Sequence, residues 1–275
     1  MMGGTEARRL SRVMVLALVL PMAVLLTGCD KTPTGRSQLA LVPDEWLDDM
    51  GRQAFEDMRS QYTVEHGSAA NQTVSCVSEA ILGAAGKVYP KALEAGDWEV
   101  VVFDDPSPNA FALPGGRIGV NTGMLQLAET PDQLAAVIGH EVGHVLARHG
   151  NERMTQDLGI KAGLLLFGLL SEGEMNGRWM QALGLGAQLG IALPFSRTHE
   201  EEADLMGLMI MAEAGFNPAQ SVELWRGMAR AGGNQPPELL STHPAHESRI
   251  KALQDNMLSA RERYPSDAPQ RCAKD

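Results

Sequence analysis

A short motif near the middle of the chain, His140-Glu141-Val142-Gly143-His144, constrains the fold more than any other feature of the sequence. The residues around it predict that it lies on a helix. An N-cap threonine, a proline at N1 and a glutamine at N3 form a capping box and predict where this helix begins (Thr130, Pro131 and Gln133). His149 and Gly150 supply the predicted stop, because glycine favours the left-handed conformation that follows a helix.

The spacing of the two histidines predicts a metal site. At about 100° per residue, positions i and i+4 of a helix differ by roughly 40°, so the imidazoles of His140 and His144 leave one face and can bind one ion. The pattern H-E-x-x-H on a helix is typical of zinc peptidases. Glu141 lies one step around the helix, where its carboxylate can accept a proton from an attacking water. We therefore expect one Zn²⁺ per chain, bound by His140 and His144, with Glu141 as the general base.

A catalytic zinc ion needs a third protein ligand and one open position. His149 is near in sequence, but it follows His140 by nine residues, or about 900°, which places it on the opposite side of an uninterrupted helix. We expect a structural role for it. In a later predicted helix, Glu200 and Asp204 are four residues apart, so one carboxylate can bind zinc while the other orients a ligand histidine. The spacing alone does not distinguish Glu200 from Glu201 as the ligand.

The ordered set of motifs resembles a known family. His140-Glu141-x-x-His144 is followed by Pro194-Phe195-Ser196-Arg197, by Glu200-x-x-x-Asp204, and by Thr242-His243-Pro244 with Arg249. This set, with residues 44–257 around it, is similar to the HtpX and CAAX-prenyl-protease superfamily of zinc peptidases. Within that superfamily it resembles the periplasmic lipoprotein branch of the LoiP and BepA type. The chain is expected to lack the helical-repeat domain of the BepA type.

The resemblance implies roles that spacing leaves open. Glu200 would be the third zinc ligand, and Asp204 would orient a ligand histidine. His243 would lie near the open position, either aiding the oxyanion or capping the metal in a resting state. His243 or Arg249 could supply a second donor to the oxyanion. The segment Asn109-Ala110-Phe111-Ala112 would be an edge strand that pairs with the substrate backbone.

Outside the motif helix, the sequence predicts an α+β fold that is mostly helical. Helical periodicity covers residues 44–66 and 71–89, and the chain after residue 130 is predicted to be helical. Three apolar runs, the last two joined by a Pro-Gly-Gly turn, predict a small β-sheet (98–103, 109–113 and 117–121). We expect a zincin-like metallopeptidase domain over 44–260, with this sheet packed on the motif helix. The apolar segments 159–170 and 182–193 are predicted to be core helices, with a mobile flap as the alternative.

The N-terminal residues predict export. Arginines precede an apolar stretch that is too short to span a bilayer, and Leu26-Thr27-Gly28-Cys29 resembles the site at which bacterial lipoproteins are cleaved and lipidated. We therefore predict a lipoprotein signal peptide over 1–28, lipidation of Cys29 and a tether over 29–43. The mature chain would face the periplasm of a bacterial cell envelope. Asp30 does not decide between the inner and the outer membrane.

Two further cysteines, Cys76 and Cys272, predict one disulfide. Exported domains fold in an oxidising compartment, and Cys272 lies in a polar tail (261–275) where burial for its own sake is disfavoured. The bond would tie this tail to an early helix. The alternative is that both cysteines are unpaired, small apolar residues.

Net charge narrows the range of partners. The 275-residue chain has a formal charge of -11 at pH 7, which argues against binding to the nucleic-acid backbone. We expect a zinc-dependent endopeptidase that acts on unfolded or misfolded envelope proteins and is held at the membrane by its lipid anchor. The alternative is a chaperone or assembly factor with latent protease activity. The sequence leaves the oligomeric state open.

Overall fold

The computed structural model describes residues 29–92, 98–170, 195–231, 239–244, 247–265 and 272, with the backbone alone at 29 and 163–170. The predicted signal peptide and the predicted apolar segment 182–193 lie outside the described residues. The described part is mostly helical with two small sheets, which confirms the predicted α+β class. None of its helices is long and apolar enough to cross a bilayer.

The first described residues form a hairpin. β1 (Cys29–Lys31) pairs antiparallel with β2 (Ser37–Leu39). In the turn between them, the amide of Gly35 donates a hydrogen bond to the carbonyl of Thr32, and Gly35 has a φ of 92°. The sequence predicts a tether over 29–43, because proline, glycine and polar residues are typical both of flexible linkers and of tight turns.

The described residues form ten helices: α1 (Asp44–Gln61), α2 (Ala69–Val88), α3 (Thr122–Leu127), α4 (Pro131–Leu146), α5 (His149–Leu170), α6 (Arg197–Glu213), α7 (Ala219–Ala231), α8 (Leu239–Thr242), α9 (Glu247–Asp255) and α10 (Met257–Arg263). The motif helix α4 begins as predicted, since the hydroxyl of Thr130 accepts a hydrogen bond from the amide of Gln133 at 3.2 Å. Helix α6 begins in the same way, with the hydroxyl of Ser196 accepting from the amide of His199 at 3.2 Å.

The motif helix ends earlier than predicted. It stops at Leu146, and Arg148 has a left-handed conformation with a φ of 58°, which is uncommon for a residue with a side chain. The guanidinium of Arg148 is paired with Asp30 at 3.0 Å and with Asp44, so this turn is held by contacts to the N-terminal part of the chain. Helix α5 then begins at His149.

A three-stranded sheet lies beside the motif helix. It consists of β3 (Glu99–Phe103), β4 (Ala110–Leu113) and β5 (Arg117–Asn121), in the order β3-β5-β4. β3 runs parallel to β5, whereas β4 is antiparallel to β5 across the predicted Pro-Gly-Gly turn. Gly115 and Gly116 in this turn have φ values of 78° and 76°, which glycine adopts at little cost. β4 is therefore an edge strand of this sheet.

Glycines allow α4 and α6 to pack closely. A Cβ atom at Gly143 would lie 2.9 Å from the carbonyl oxygen of Ala203. A Cβ atom at Gly207 would lie 2.7 Å from the backbone nitrogen of His140. Ordinary Cβ contacts begin at 3.4 Å, so neither position has room for a side chain. The two helices that carry the predicted ligands therefore touch through their backbones.

A disulfide joins helix α2 to the C-terminal part of the chain. Cys76, on α2, is bonded to Cys272, and their Cα atoms are 5.6 Å apart. The bond holds residue 272 against α2, where Cys272 packs on the hydrophobic core.

Candidate metal centre

Four buried side chains converge on one point. Nε2 of His144 lies 3.0 Å from Nε2 of His140, which lies 3.3 Å from Nδ1 of His243. The carboxylate of Glu200 lies 3.5 Å from the His140 nitrogen, 3.4 Å from the His144 nitrogen and 3.1 Å from the His243 nitrogen. One ligand atom from each residue lies within 4.8 Å of all the others. Helices α4 and α6 and the residue after α8 thus supply one set of ligands.

This donor set fits zinc. Imidazole nitrogens and a carboxylate oxygen are typical zinc ligands, and a tetrahedral site with bonds of about 2.1 Å places its ligand atoms about 3.4 Å apart. Five distances among the three imidazole nitrogens and the two oxygens of the Glu200 carboxylate range from 3.0 to 3.5 Å. The cluster therefore has the size and the chemistry of a site for one zinc ion, as the sequence predicted.

The structure distinguishes the two candidate glutamates. Glu200 is fully buried in the cluster, whereas Glu201 is partly exposed and lies outside it. Burial raises the pKa of the Glu200 carboxyl, but hydrogen bonds from the histidines of the cluster outweigh burial and hold this pKa well below its usual range. The rotation of α6 against α4 decides which glutamate faces the motif, and spacing within α6 does not reveal that rotation.

Asp204 orients His140. Its Oδ1 lies 2.9 Å from Nδ1 of His140, so this nitrogen donates to the carboxylate and Nε2 is left to face the metal. Burial lowers the pKa of His140, but the hydrogen bonds to Asp204 and Glu200 outweigh burial and raise it to about 9. The position of Asp204 agrees with the role that the family resemblance implied.

Arg249 lies behind the ligands. It is 1% exposed and binds Asp204 through two N–H···O bonds of 2.6 and 2.7 Å. Its Nη1 lies 2.7 Å from Glu200 and donates to the carbonyl of Pro244 at 3.2 Å. These donors face protein oxygens, so Arg249 holds Glu200 and Asp204 in place. Its role as an oxyanion donor stays a prediction.

Glu141 lies beside the cluster with a free acceptor. It is 2% exposed, and its Oε1 has no hydrogen-bond partner among the described residues. Nε2 of His243 is 3.6 Å from this oxygen. Burial raises the pKa of Glu141, although a hydrogen bond from the backbone of Ala112 lowers it in part. A buried carboxylate next to a metal site can accept a proton and release it again.

The predicted substrate strand lies next to Glu141. Three of its four residues, Ala110, Phe111 and Ala112, are in the edge strand β4, and the amide of Ala112 reaches the Glu141 carboxylate. Asn109 precedes the strand, and its backbone carbonyl accepts from the amide of Asn121 at 3.0 Å. Its side-chain oxygen is buried without a partner in the described part of the chain. The structure thus brings the predicted strand and the predicted general base together.

Two residues to which the sequence assigns no place at the metal site, His149 and Glu202, lie behind His144. Nδ1 of His149 lies 2.9 Å from Nδ1 of His144, and Nε2 of His149 lies 3.1 Å from Glu202. The expectation that His149 lies on the opposite side was wrong, because it assumed an uninterrupted helix. The left-handed turn at Arg148 brings His149 back to the motif. Glu202 carried no signal beyond its place in a run of acidic residues.

Phe195 restricts two of the ligand rings. Its ring centroid lies 4.1 Å from that of His144 and 5.3 Å from that of His243. The guanidinium of Arg153 lies 4.2 Å from the same Phe195 ring. The Phe-Ser-Arg motif of the sequence thus contributes a wall of the metal site through its aromatic residue.

Comparisons with known proteins agree with this geometry. Residues 69–257 match the model of peptidase family M48. The mitochondrial metalloendopeptidase OMA1 of Schizosaccharomyces pombe is 34% identical over 211 residues, which cover 75% of this chain and 59% of that protein. OMA1 of Arabidopsis thaliana is 40% identical over 162 residues, covering 58% and 32%. The beta-barrel assembly-enhancing protease of Escherichia coli is 32% identical over 151 residues, covering 52% and 31%.

The chain spans between about a third and three fifths of the length of these relatives. The resemblance to the BepA type is confirmed at the level of the family, which also includes mitochondrial proteins. The matched residues contain the three-stranded sheet, the motif helix and all four ligands. This chain carries a metallopeptidase domain and belongs to peptidase family M48.

Proposed function

We propose that this chain is a zinc-dependent endopeptidase of the bacterial cell envelope that degrades unfolded or misfolded envelope proteins. One observation carries the proposal: a zinc-type ligand set lies beside the edge strand β4 and beside the buried carboxylate of Glu141, whose Oε1 has no hydrogen-bond partner in the described part of the chain. Family M48 membership supports the reaction class. The envelope location rests on the predicted signal peptide and the predicted lipidation of Cys29.

Different residues of the site perform different steps of the proposed hydrolysis. When bound, zinc polarises the scissile carbonyl and acidifies water. β4 pairs with the extended substrate backbone and so places it along the ligand cluster. Oε1 of Glu141 takes the proton of the attacking water and delivers it to the leaving amine. The raised pKa of Glu141 suits both steps, because the group must hold a proton between them.

His243 gives the site a closed, four-ligand set. Catalytic zinc sites keep one position open, whereas closed sites are typically structural. Nδ1 of His243 lies 3.1 Å from Glu200 and 3.3 Å from His140, inside the cluster. We infer that this arrangement is a resting state and that His243 moves away when substrate binds. The same observation favours the second candidate function, a chaperone or assembly factor whose proteolysis is latent.

The test compares zinc content and casein cleavage in the wild type and in Glu141→Gln. The substitution removes the proton acceptor but no ligand, so we expect about one zinc per chain and a loss of cleavage of at least about 10²-fold. His144→Ala is the control and should lose zinc. Cleavage by Glu141→Gln at the wild-type rate would refute the proposed general base. Complementation of a deletion strain by Glu141→Gln would favour the chaperone function.

Membrane attachment is tested separately. Three exposed apolar side chains, Leu41 (40%), Trp46 (67%) and Met50 (54%), follow Cys29 and suit a surface close to a bilayer. Cys29→Ser should move the protein from the membrane fraction to the soluble fraction and abolish incorporation of labelled palmitate. Retention of the variant on the membrane would show that the lipid is not its anchor.

A further inference from the structure

A second cluster of polar side chains, most of them buried, lies behind His144. It joins the N-terminal hairpin to the beginning of α5 and to α6, and it consists of Thr32, Thr34, Arg36, His149, Glu152, His199 and Glu202. None of these residues is in the ligand set. The cluster nevertheless touches that set, because His149 lies 2.9 Å from His144.

Glu202 is the centre of this second cluster. Its carboxylate accepts hydrogen bonds from the hydroxyls of Thr32 and Thr34, and from Nε of Arg36 at 2.6 Å. It also lies 3.1 Å from Nε2 of His149. An ionised carboxylate only accepts hydrogen bonds, so the proton in this last contact belongs to Nε2 of His149.

This proton determines the tautomer of the ligand. With its proton on Nε2, neutral His149 presents the lone pair of Nδ1 to Nδ1 of His144, 2.9 Å away. Nδ1 of His144 must then be the donor, which leaves its Nε2 lone pair directed at the ligand cluster. Glu202, held by the hairpin, therefore fixes the tautomer of His149, and His149 fixes that of His144. The selected form of His144 binds a metal through Nε2.

Arg36 also links the hairpin to Glu152 and, through it, to the beginning of α6. Its Nη1 and Nη2 donate to the carboxylate of Glu152 at 3.0 and 2.7 Å. Glu152 in turn lies 3.0 Å from Nε2 of His199, the residue before the ligand Glu200. The hairpin thus holds the region of α6 that carries Glu200 as well as the ring of His144.

We propose that the hairpin of residues 29–39 is a positioning element of the zinc site, in which Thr32, Thr34 and Arg36 act through Glu202 and His149 on the ligand His144. Because linked equilibria are reciprocal, docking of the hairpin strengthens zinc binding, and zinc strengthens docking. The segment that follows the predicted lipidation site is thereby coupled to the metal. The inference rests on the zinc site alone and not on cleavage.

The first test measures zinc affinity by chelator competition. Glu202→Gln should weaken binding by about 10- to 100-fold, the range for residues that support a metal ligand. The double variant Thr32→Val/Thr34→Val keeps the shape of both side chains but removes both hydroxyls, and it should weaken zinc binding in the same direction. Glu201→Gln and Thr198→Val, at neighbouring positions outside the cluster, are the controls and should bind zinc like the wild type.

The second test detects the coupling directly, by hydrogen exchange with and without zinc. In the wild type, zinc should slow exchange of the hairpin amides more than that of the α1 amides, and this excess should disappear in His149→Phe. If Glu202→Gln does not fold, the threonine double variant decides. Zinc affinity within twofold of the wild type in the folded variants, or hairpin exchange that does not respond to zinc, would overturn the inference. Neither readout depends on peptidase activity.

Discussion

The contact between the two ligand-bearing helices can be tested by adding one methyl group. In Gly207→Ala, the new Cβ would lie 2.7 Å from the backbone nitrogen of His140 and 2.8 Å from the carbonyl carbon of Gly139. Ordinary contacts begin at 3.4 Å, so α4 and α6 must separate by about 0.7 Å. Both neighbours are backbone atoms, so no side chain can rotate out of the way.

The expected effect is small for stability and large for the site. Overpacking of this kind costs about 1–3 kcal/mol, and the higher helix propensity of alanine returns about 1 kcal/mol, so the net loss should be about 0–2 kcal/mol. The same separation moves Glu200 away from His140 and His144. A displacement of about 1 Å at a catalytic site can reduce the rate by about 10²-fold. We therefore expect a folded protein with weaker zinc binding and casein cleavage reduced by about 10- to 100-fold.

The matched control is Gly83→Ala on α2, where an added Cβ would meet no atom within 4 Å. This variant should gain up to about 1 kcal/mol of stability from helix propensity and keep the wild-type zinc affinity. Urea unfolding, chelator competition and casein cleavage would be measured on both variants. If Gly207→Ala is as stable as Gly83→Ala and binds zinc like the wild type, the reasoning about backbone contact is refuted.

Three further predictions concern the disulfide and the support of His140. The bond between Cys76 and Cys272 spans a sequence separation of 196 residues. Its reduction should lower the free energy of unfolding by about 5 kcal/mol in the chain-entropy model. An unchanged midpoint of urea unfolding under reductant would contradict this. Burial lowers the pKa of His140, but its hydrogen bonds to Asp204 and Glu200 raise it from the ordinary 6.5 to about 9. Its contribution to the stability of the metal-free protein is therefore present below pH 6.5 and lost as the pH rises through about 9. Zinc binding near pH 7.5 should therefore release about one proton, which calorimetry in buffers of different ionisation enthalpy would detect. Asp204→Asn should weaken zinc binding by about 10- to 100-fold. It should also reduce this proton release, because a neutral amide stabilises the protonated imidazole of His140 less than a carboxylate does. An unaltered number of released protons would argue against Asp204 as the partner of His140.

The parts of the site that local geometry determines were predictable from the sequence. The capping residues Thr130 and Gln133 define the beginning of α4, and helix geometry alone places His140 and His144 on one face. The choice between Glu200 and Glu201 was different, because it depends on how α6 is rotated against α4. The family resemblance supplied that choice, and the structure explains it through the close contact at Gly207.

The features that the sequence does not reveal depend on contacts between residues distant in sequence. Arg148 adopts a left-handed conformation that composition rules assign to glycine, and its pairs with Asp30 and Asp44 bring that turn against the N-terminal segment. The hairpin of residues 29–39 is also hidden from the sequence, which predicts a tether there. Its turn residues are equally typical of a flexible linker and of a tight turn. Its main partners, Glu152 and Glu202, lie more than 100 residues away in the sequence.

The two motif histidines are supported from opposite ends of the chain. His140 is oriented by Asp204 and by Arg249, which lies on α9 near the C-terminal end of the domain. His144 is oriented by His149 and Glu202, and these depend on the hairpin at the N-terminal end. The family match begins at residue 69 and therefore contains the first support completely but the second only in part. A fragment that begins at residue 69 would keep every zinc ligand and lose Thr32, Thr34 and Arg36, so it should bind zinc more weakly than the chain that contains the hairpin.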